Sequence, residues 1–233
     1  TLSYTGNSNV GTKGTGNPFS MADTVNFKAS GEMDNGFIVT MTMGLDGSKT
    51  AAGAAFEDRA IAIDMGDMGT LSFKAQDGSS VTGAMDDKMP SAYEETWFQA
   101  DGPGNGSGAG NMWTYSNSSM EGVTLEASFT PSGGGQVDSS TDVGITYTGI
   151  DGLTIGVAAG TDSGGSADMD NSTKYITYAY DAFTFGVQSN SADSATAGAD
   201  EEYMAYAVSY AVSDDLSISY GYSELDYEGV STI

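Results

Sequence analysis

The 233-residue chain contains no cysteine and no histidine. Their absence excludes thiol and imidazole catalysis, the usual zinc sites and any disulfide framework, so stability must come from backbone pairing and burial. No apolar run approaches the ~20 residues that a membrane-spanning helix needs. Basic residues are scarce too: 7 Lys and Arg stand against 32 Asp and Glu, a formal net charge of -25. That excess repels nucleic acid, so no nucleic-acid partner is expected, and it favours cations. With 4 prolines and abundant Gly, Val, Thr and Tyr, the chain can build one large all-β domain or two small ones. The usual N-terminal targeting signal is missing and Thr1 already lies in an alternating segment, so the start is expected to be trimmed.

Acid-rich chains can be disordered, but here apolar and polar residues alternate with a period of two, which places one set on one face of a strand. After a fragment near Leu2 to Thr5, the apolar set runs Val25, Phe27, Ala29; Phe37 to Leu45 at odd positions; Ile61, Ile63; and Leu71, Phe73, Ala75. It resumes at Trp113, Tyr115 and recurs through Val123 to Phe129, Val143 to Tyr147, Leu153 to Ala159, Ile176 to Tyr180, Phe183 to Val187, Met204 to Val212 and Leu216 to Tyr222. The template yields about thirteen strands.

The links between these segments alternate in length. Short turns fall at Asp34-Asn35-Gly36, Gly66 to Gly69, Asn117 to Gly122, Ile150-Asp151-Gly152, Asp181-Ala182 and Ser213-Asp214-Asp215. Long, Gly- and Ser-rich links fall at Gly6 to Ala22, Asp46 to Phe56, Gln76 to Gly110, Ser132 to Ser139, Thr161 to Ser172 and Ser189 to Asp200. Such sorting puts all short turns at one end and all long loops at the other, as in an antiparallel up-and-down transmembrane β-barrel and unlike a sandwich with crossing connections.

Two further features agree. Phe37, Tyr147, Tyr180, Phe183 and Tyr210 share the apolar register and adjoin short turns, as an interfacial aromatic girdle does. Lys28 and Lys74 fall on the opposite, inward register, whereas Arg59 and Lys174 fall on the outward one only near the long loops, where charge costs little. The inward set is polar or small, for example Thr24, Asn26, Ser30, Thr40, Thr42, Ser72, Glu126, Ser128, Gly156, Gly186 and Gln188. Residues of this kind suit a water-filled lumen rather than a sealed core.

Three blocks carry a family likeness: GNPFSMADTVNFKASGEMDNGF from Gly16 to Phe37, GDMGTLSF from Gly66 to Phe73, and DDKMPSAYEETW from Asp86 to Trp97. In these the chain resembles the general trimeric porins of Gram-negative outer membranes, most like the alphaproteobacterial branch. The likeness covers nearly the whole chain, although each block alone is only moderately specific. It implies one barrel domain over residues 1–233, sixteen strands in the full barrel, and a homotrimer in outer-membrane lipid with the loop Asp46 to Phe56 latching neighbours. Against sixteen, and because antiparallel closure needs an even number, the beginning of the first strand and roughly the last three strands are expected to be missing here.

The resemblance also implies that the third long loop, residues 76–110, folds inward as a constriction. Its acids Asp86, Asp87, Glu94 and Glu95 would form the narrow rim, facing the basic wall residues Lys28 and Lys74, and Tyr93, Trp97 and Phe98 would anchor it. Rings of charge set pore selectivity, and the ~8 Å Debye length at physiological salt means that they act only where the passage is that narrow. Expected cargo is ions, cations preferentially, and small hydrophilic solutes by passive diffusion, with no enzyme activity, cofactor or metal site. The bland alternative for these acids is solvated loop charge, and for the two lysines a local ion pair. Asp162, Asp168, Asp170 and Asn171 lack the spacing and closing Glu of a calcium loop. A different class of protein, a secreted acidic calcium-dependent adhesin or surface-layer module, would bury its apolar stripes against a second sheet.

Overall fold

The computed structural model describes residues 2–4, 19–21, 24–46, 56–76, 78–90, 110–133, 138–163, 168–196, 199–214, 216–227 and 230–232. A small pair, β1 (Leu2–Tyr4) and β2 (Phe19–Met21), stands apart from the main sheet. The main sheet comprises β3 (Thr24–Glu32), β4 (Ile38–Asp46), β5 (Phe56–Asp64), β6 (Thr70–Gln76), β7 (Met112–Met120), β8 (Val123–Thr130) and β9 (Ser140–Ile150). It continues through β10 (Leu153–Asp162), β11 (Met169–Tyr180), β12 (Phe183–Ser194), β13 (Glu201–Ser213), β14 (Leu216–Tyr227) and β15 (Val230–Thr232). All 13 strands pair antiparallel with their sequence neighbours, and no pairing joins the edges β3 and β15 among the described residues.

Register sets the two faces. Opposite residues on neighbouring antiparallel strands share a face, and the rows Ala29–Met41–Ile61–Phe73–Trp113–Phe129 and Ile155–Ile176–Val187–Tyr206–Tyr222 are apolar throughout. These side chains are not buried in a core: Met41 is 49% and Ile176 50% exposed. Rings meet along the same face, Phe73 with Trp113 at 5.0 Å between centroids and Phe183 with Tyr210 at 4.6 Å. The interleaved rows are polar or small, such as Lys28–Thr42–Ala60–Lys74 and Thr114–Ser128–Asp142–Gly160. Among the described residues, the element that lies on the polar face is a helical turn between β6 and β7, not a second sheet.

The apolar band runs obliquely across the strands. On β8 it extends from Val123 to Phe129, and on β14 from Leu216 to Tyr222. A single row of paired residues, Val123–Tyr147–Ile155–Ile176–Val187–Tyr206–Tyr222, links the start of the first run to the end of the last. The band thus slips by about six residues, or ~20 Å, while crossing six strand spacings of ~4.8 Å. A level band therefore requires strands tilted by ~35°, within the range at which barrels close. Arg59 and Lys174 lie just past the band, next to Ile61 and Ile176 on the long-loop side.

Several sequence expectations need correction. The fragment at Leu2 pairs with Phe19–Met21, inside a stretch expected to be a link, and does not join the main sheet. The strand β15 was not anticipated, because three residues are too few to show alternation. The turn expected at Asn117 to Gly122 shrinks to Glu121–Gly122, since β7 runs on to Met120 through a register shift after Asn117. Strands β10 to β12 reach further into the expected long links than their apolar residues signal, because past the band the outward positions Thr161, Ser172 and Ser189 are polar. Charge on the apolar face tests what that face meets. In phospholipid bilayers Val208→Arg, mid-band on β13, is expected to lower unfolding free energy by about 2–4 kcal/mol, and Val212→Arg beside the turn by under about 1 kcal/mol. Urea unfolding measures both, and equal costs would mean that this face does not contact hydrocarbon.

Candidate functional site

The polar face of β8 to β14 is occupied by residues 78–90, the described part of the long link after β6. At their centre is one helical turn, α1 (Val81–Met85), capped by Ser80, whose hydroxyl accepts from the Gly83 N–H at 3.2 Å. Its remaining N-terminal donors, which a helix cannot satisfy internally, are taken by the wall. Val81 N–H donates to Ser128 Oγ at 3.1 Å, and the Thr82 N–H and hydroxyl both donate to Asp142 Oδ2, at 3.2 and 2.7 Å.

Wall amides serve the other end of the turn. Gln188 Nε2 donates to the Met85 carbonyl at 2.8 Å, with Thr173 Oγ1 donating to the same oxygen at 3.3 Å. Asn190 Nδ2 donates to the Asp86 carbonyl at 2.9 Å, and Lys88 N–H donates to Gln188 Oε1 at 2.8 Å. The three wall side chains are bonded to one another, Thr173 Oγ1 donating to Asn190 Oδ1 at 2.6 Å, and each is about 1% exposed. Apart from the Thr82 hydroxyl, the atoms of the segment that the wall grips are main-chain ones.

Apolar contact completes the seat. Val81 and Met85 pack on Ala158 and Tyr175, while Met89 bridges that cluster to Tyr203, Ala205 and Leu225. Two glycines permit the approach: a Cβ on Gly144 would meet Val81 Cγ1 at 2.6 Å, and one on Gly186 would strike Pro90. Tyr175, Tyr203 and Leu225 escaped the sequence reading, which took the inward set as polar or small. Their signal is present as bulky residues out of phase beside outward Lys174, Glu202 and Glu224.

The predicted site residues separate into three groups. Asp86 is half-buried with its carbonyl held by Asn190, and Asp87 is exposed beside Lys88 at 3.5 Å, a pairing of little energetic weight in water. Glu94 and Glu95, with Tyr93, Trp97 and Phe98, lie outside the described residues. Lys28 and Lys74 share one row of the polar face, three strand spacings or ~14 Å apart. Neither pairs with an acid among the described residues, and neither is brought into contact with Asp86 or Asp87. The calcium-like run does not converge: Asp162 accepts from Ser140, Asp170 accepts from Thr161, and Asn171 is buried on the opposite register from Asp170. A cleft of about 370 Å³ lined by Lys174, Glu202, Glu224 and Asp226 lies on outward positions past the apolar band.

Gln188→Leu tests the seat, because it strips partners from both the Met85 carbonyl and the Lys88 N–H. Each unsatisfied group costs about 1–3 kcal/mol. Tryptic cleavage after Lys88 in the folded protein is expected to accelerate by about tenfold or more, whereas an unchanged rate would mean that the amide grip is dispensable.

The fold recurs among solved structures. A loop-deletion mutant of the outer membrane protein OmpT of Vibrio cholerae is 16% identical, with a TM-score of 0.68 over 89% of this chain and 74% of that one. An anion-selective porin from Comamonas acidovorans is 12% identical, with a TM-score of 0.61 over 89% and 70%. A mutant porin of Rh. blastica is 18% identical over 97% and 91%, with a TM-score of 0.47. No curated protein sequence matches. The profile of the Gram-negative porins matches residues 1–232. The chain is therefore a member of the Gram-negative porin family, an outer-membrane β-barrel channel protein.

Proposed function

We propose that this porin passes ions and small hydrophilic solutes by passive diffusion, preferring cations, and that residues 76–110 narrow its lumen. The observation that carries the reading is the seat of residues 78–90. Seven hydrogen bonds tie this segment to the polar wall, and their hold on the Met85 and Asp86 carbonyls and the Lys88 N–H supports Asp86 and Asp87 as part of the rim.

The sign of selectivity rests on charge. With 32 acids against 7 bases, the loop acids Asp86, Asp87, Glu94 and Glu95 outweigh Lys28 and Lys74. The family alone does not dictate the sign, since the Comamonas acidovorans relative is described as anion-selective. Fixed charge biases ions within about a Debye length, ~8 Å at physiological salt, so an acidic rim acts only at a constriction. The two lysines form the facing positive side of that rim, and their row supports a transverse field across the passage. A homotrimer, latched by the loop between β4 and β5, is part of the same reading, and light scattering in detergent would read three protomers.

Reversal potentials across a planar bilayer with a salt gradient test the proposal. Glu94→Gln with Glu95→Gln is expected to bring the cation-to-anion permeability ratio toward unity, and Lys28→Gln with Lys74→Gln to raise it. Unchanged potentials in both double variants would remove these residues from the narrow point.

A further inference from the structure

Charge on the polar wall is concentrated at few positions. On each strand the outward apolar run marks the mid-level of the band: Phe27 is its midpoint on β3, Phe73 on β6, and on β8 the midpoint between Val123 and Phe129 is Glu126. These midpoints share one height. The row from Ala29 to Phe129 starts at the short-turn end of the first run and finishes at the long-link end of the last, the same oblique slip that a level band on tilted strands produces. Among the described residues of β3 to β14, the polar-face positions within one residue, ~3.4 Å, of a midpoint are Ser, Thr, Asn, Ala or Gly, apart from Lys28, Lys74 and Glu126.

Glu126 borders the seat of the loop on two sides. Its row neighbours are Ser116 on β7 and Gly144 on β9, and where Gly144 lacks a Cβ the Val81 side chain of α1 takes the space. That contact is one strand spacing, ~4.8 Å, from Glu126. The next residue on the same face of β8 is Ser128, which accepts from the Val81 N–H. The N-terminal donors of α1 are spent on Ser128, Asp142 and the Ser80 cap, and Glu126 has no hydrogen bond or ion pair among the described residues. Burying an ionised carboxylate without a partner is costly, and Glu126 is only half-buried, which leaves its oxygens the water of the passage.

We infer that Glu126 is a specificity-determining residue, a wall carboxylate level with Lys28 and Lys74 that attracts cations at the foot of the seated loop. It rests on the reading of residues 76–110 as the element that narrows the lumen, since fixed charge acts on an ion only within about a Debye length. The loop acid Asp86 is held at the far flank of the seat, its carbonyl bound by Asn190 on β12. Glu126 carries the negative arc back to β8, so the wall changes sign across β7, between Glu126 and Lys74.

Reversal potentials of the full chain in planar bilayers under a salt gradient test this. Near 0.1 M salt, Glu126→Gln is expected to lower the cation-to-anion permeability ratio about twofold, the effect of one charge ~8 Å from the ion path. Glu126→Asp, which returns the charge, is expected to restore the ratio, and Glu121→Gln, in the exposed β7–β8 turn, to leave it alone. The shift should vanish near 1 M salt, where the Debye length falls to ~3 Å, whereas a displaced loop would alter the ratio at any salt. Because the chain has no cysteine, Glu126→Cys supplies a single thiol, and a cationic methanethiosulfonate added to the aqueous side should react with it and lower the ratio further than glutamine does. An unchanged ratio in Glu126→Gln, a shift that persists near 1 M salt, or a thiol that does not react overturns the inference. Glu94→Gln with Glu95→Gln, measured alongside, separates the two readings. If that pair shifts the ratio and Glu126→Gln does not, the wall role falls and the constriction stands; if neither does, the narrow lumen falls with it.

Discussion

Hydrocarbon offers no partner to a backbone N–H or C=O, so a chain that crosses it with strands must satisfy every such group by pairing strand to strand. The rest of this molecule follows from that constraint. Each main-sheet strand bonds to its sequence neighbours, which forces the up-and-down order and sorts short turns from long links. With the backbone satisfied internally, side chains alone choose between the two faces. The period-two pattern gives lipid an unbroken apolar surface and leaves Thr, Ser, Asn and Gly for the other side. Even the strand tilt of ~35° follows, because a bilayer imposes a level band while the pairing register carries each apolar run obliquely across its neighbours.

On the inner side the constraint is reversed. A polar wall next to water needs nothing to cover it, so an element that lies on it must offer more than water does. The segment around α1 offers main-chain groups left unpaired by its own short helix, and the wall answers with Ser128, Asp142, Thr173, Gln188 and Asn190. Once covered, those amides and hydroxyls depend on the segment as much as it depends on them, because a half-satisfied buried network is worse than none. Val81, Met85 and Met89 add apolar contact on Tyr175, Tyr203 and Leu225, which would be ill-placed in an open lumen. The seat is therefore cooperative: polar bonds set its position and apolar burial adds the driving force.

The strands were legible wherever their outer face is greasy. They faded where β10 to β12 pass beyond the band, since a strand with water on one side and a polar loop on the other has no alternation to read. The acidic loop was legible as an anomaly of length and charge, and Gln188 was placed on the inward register. Its partnership with Met85 and Lys88, and those of Asp142 with Thr82 and Asn190 with Asp86, were not, because 60 to 104 residues separate each pair.

Taken by itself, the order of residues determined which side chains share a face, where the chain turns sharply and that no thiol or imidazole chemistry is available. These are local consequences of a backbone with two residues per repeat and of composition. Only the tertiary structure decided which strands wall the loop and that Tyr175, Tyr203 and Leu225 turn inward beneath it. Those facts depend on the accumulated register of many strand pairings, each shift moving every later contact, and no local pattern encodes such a sum.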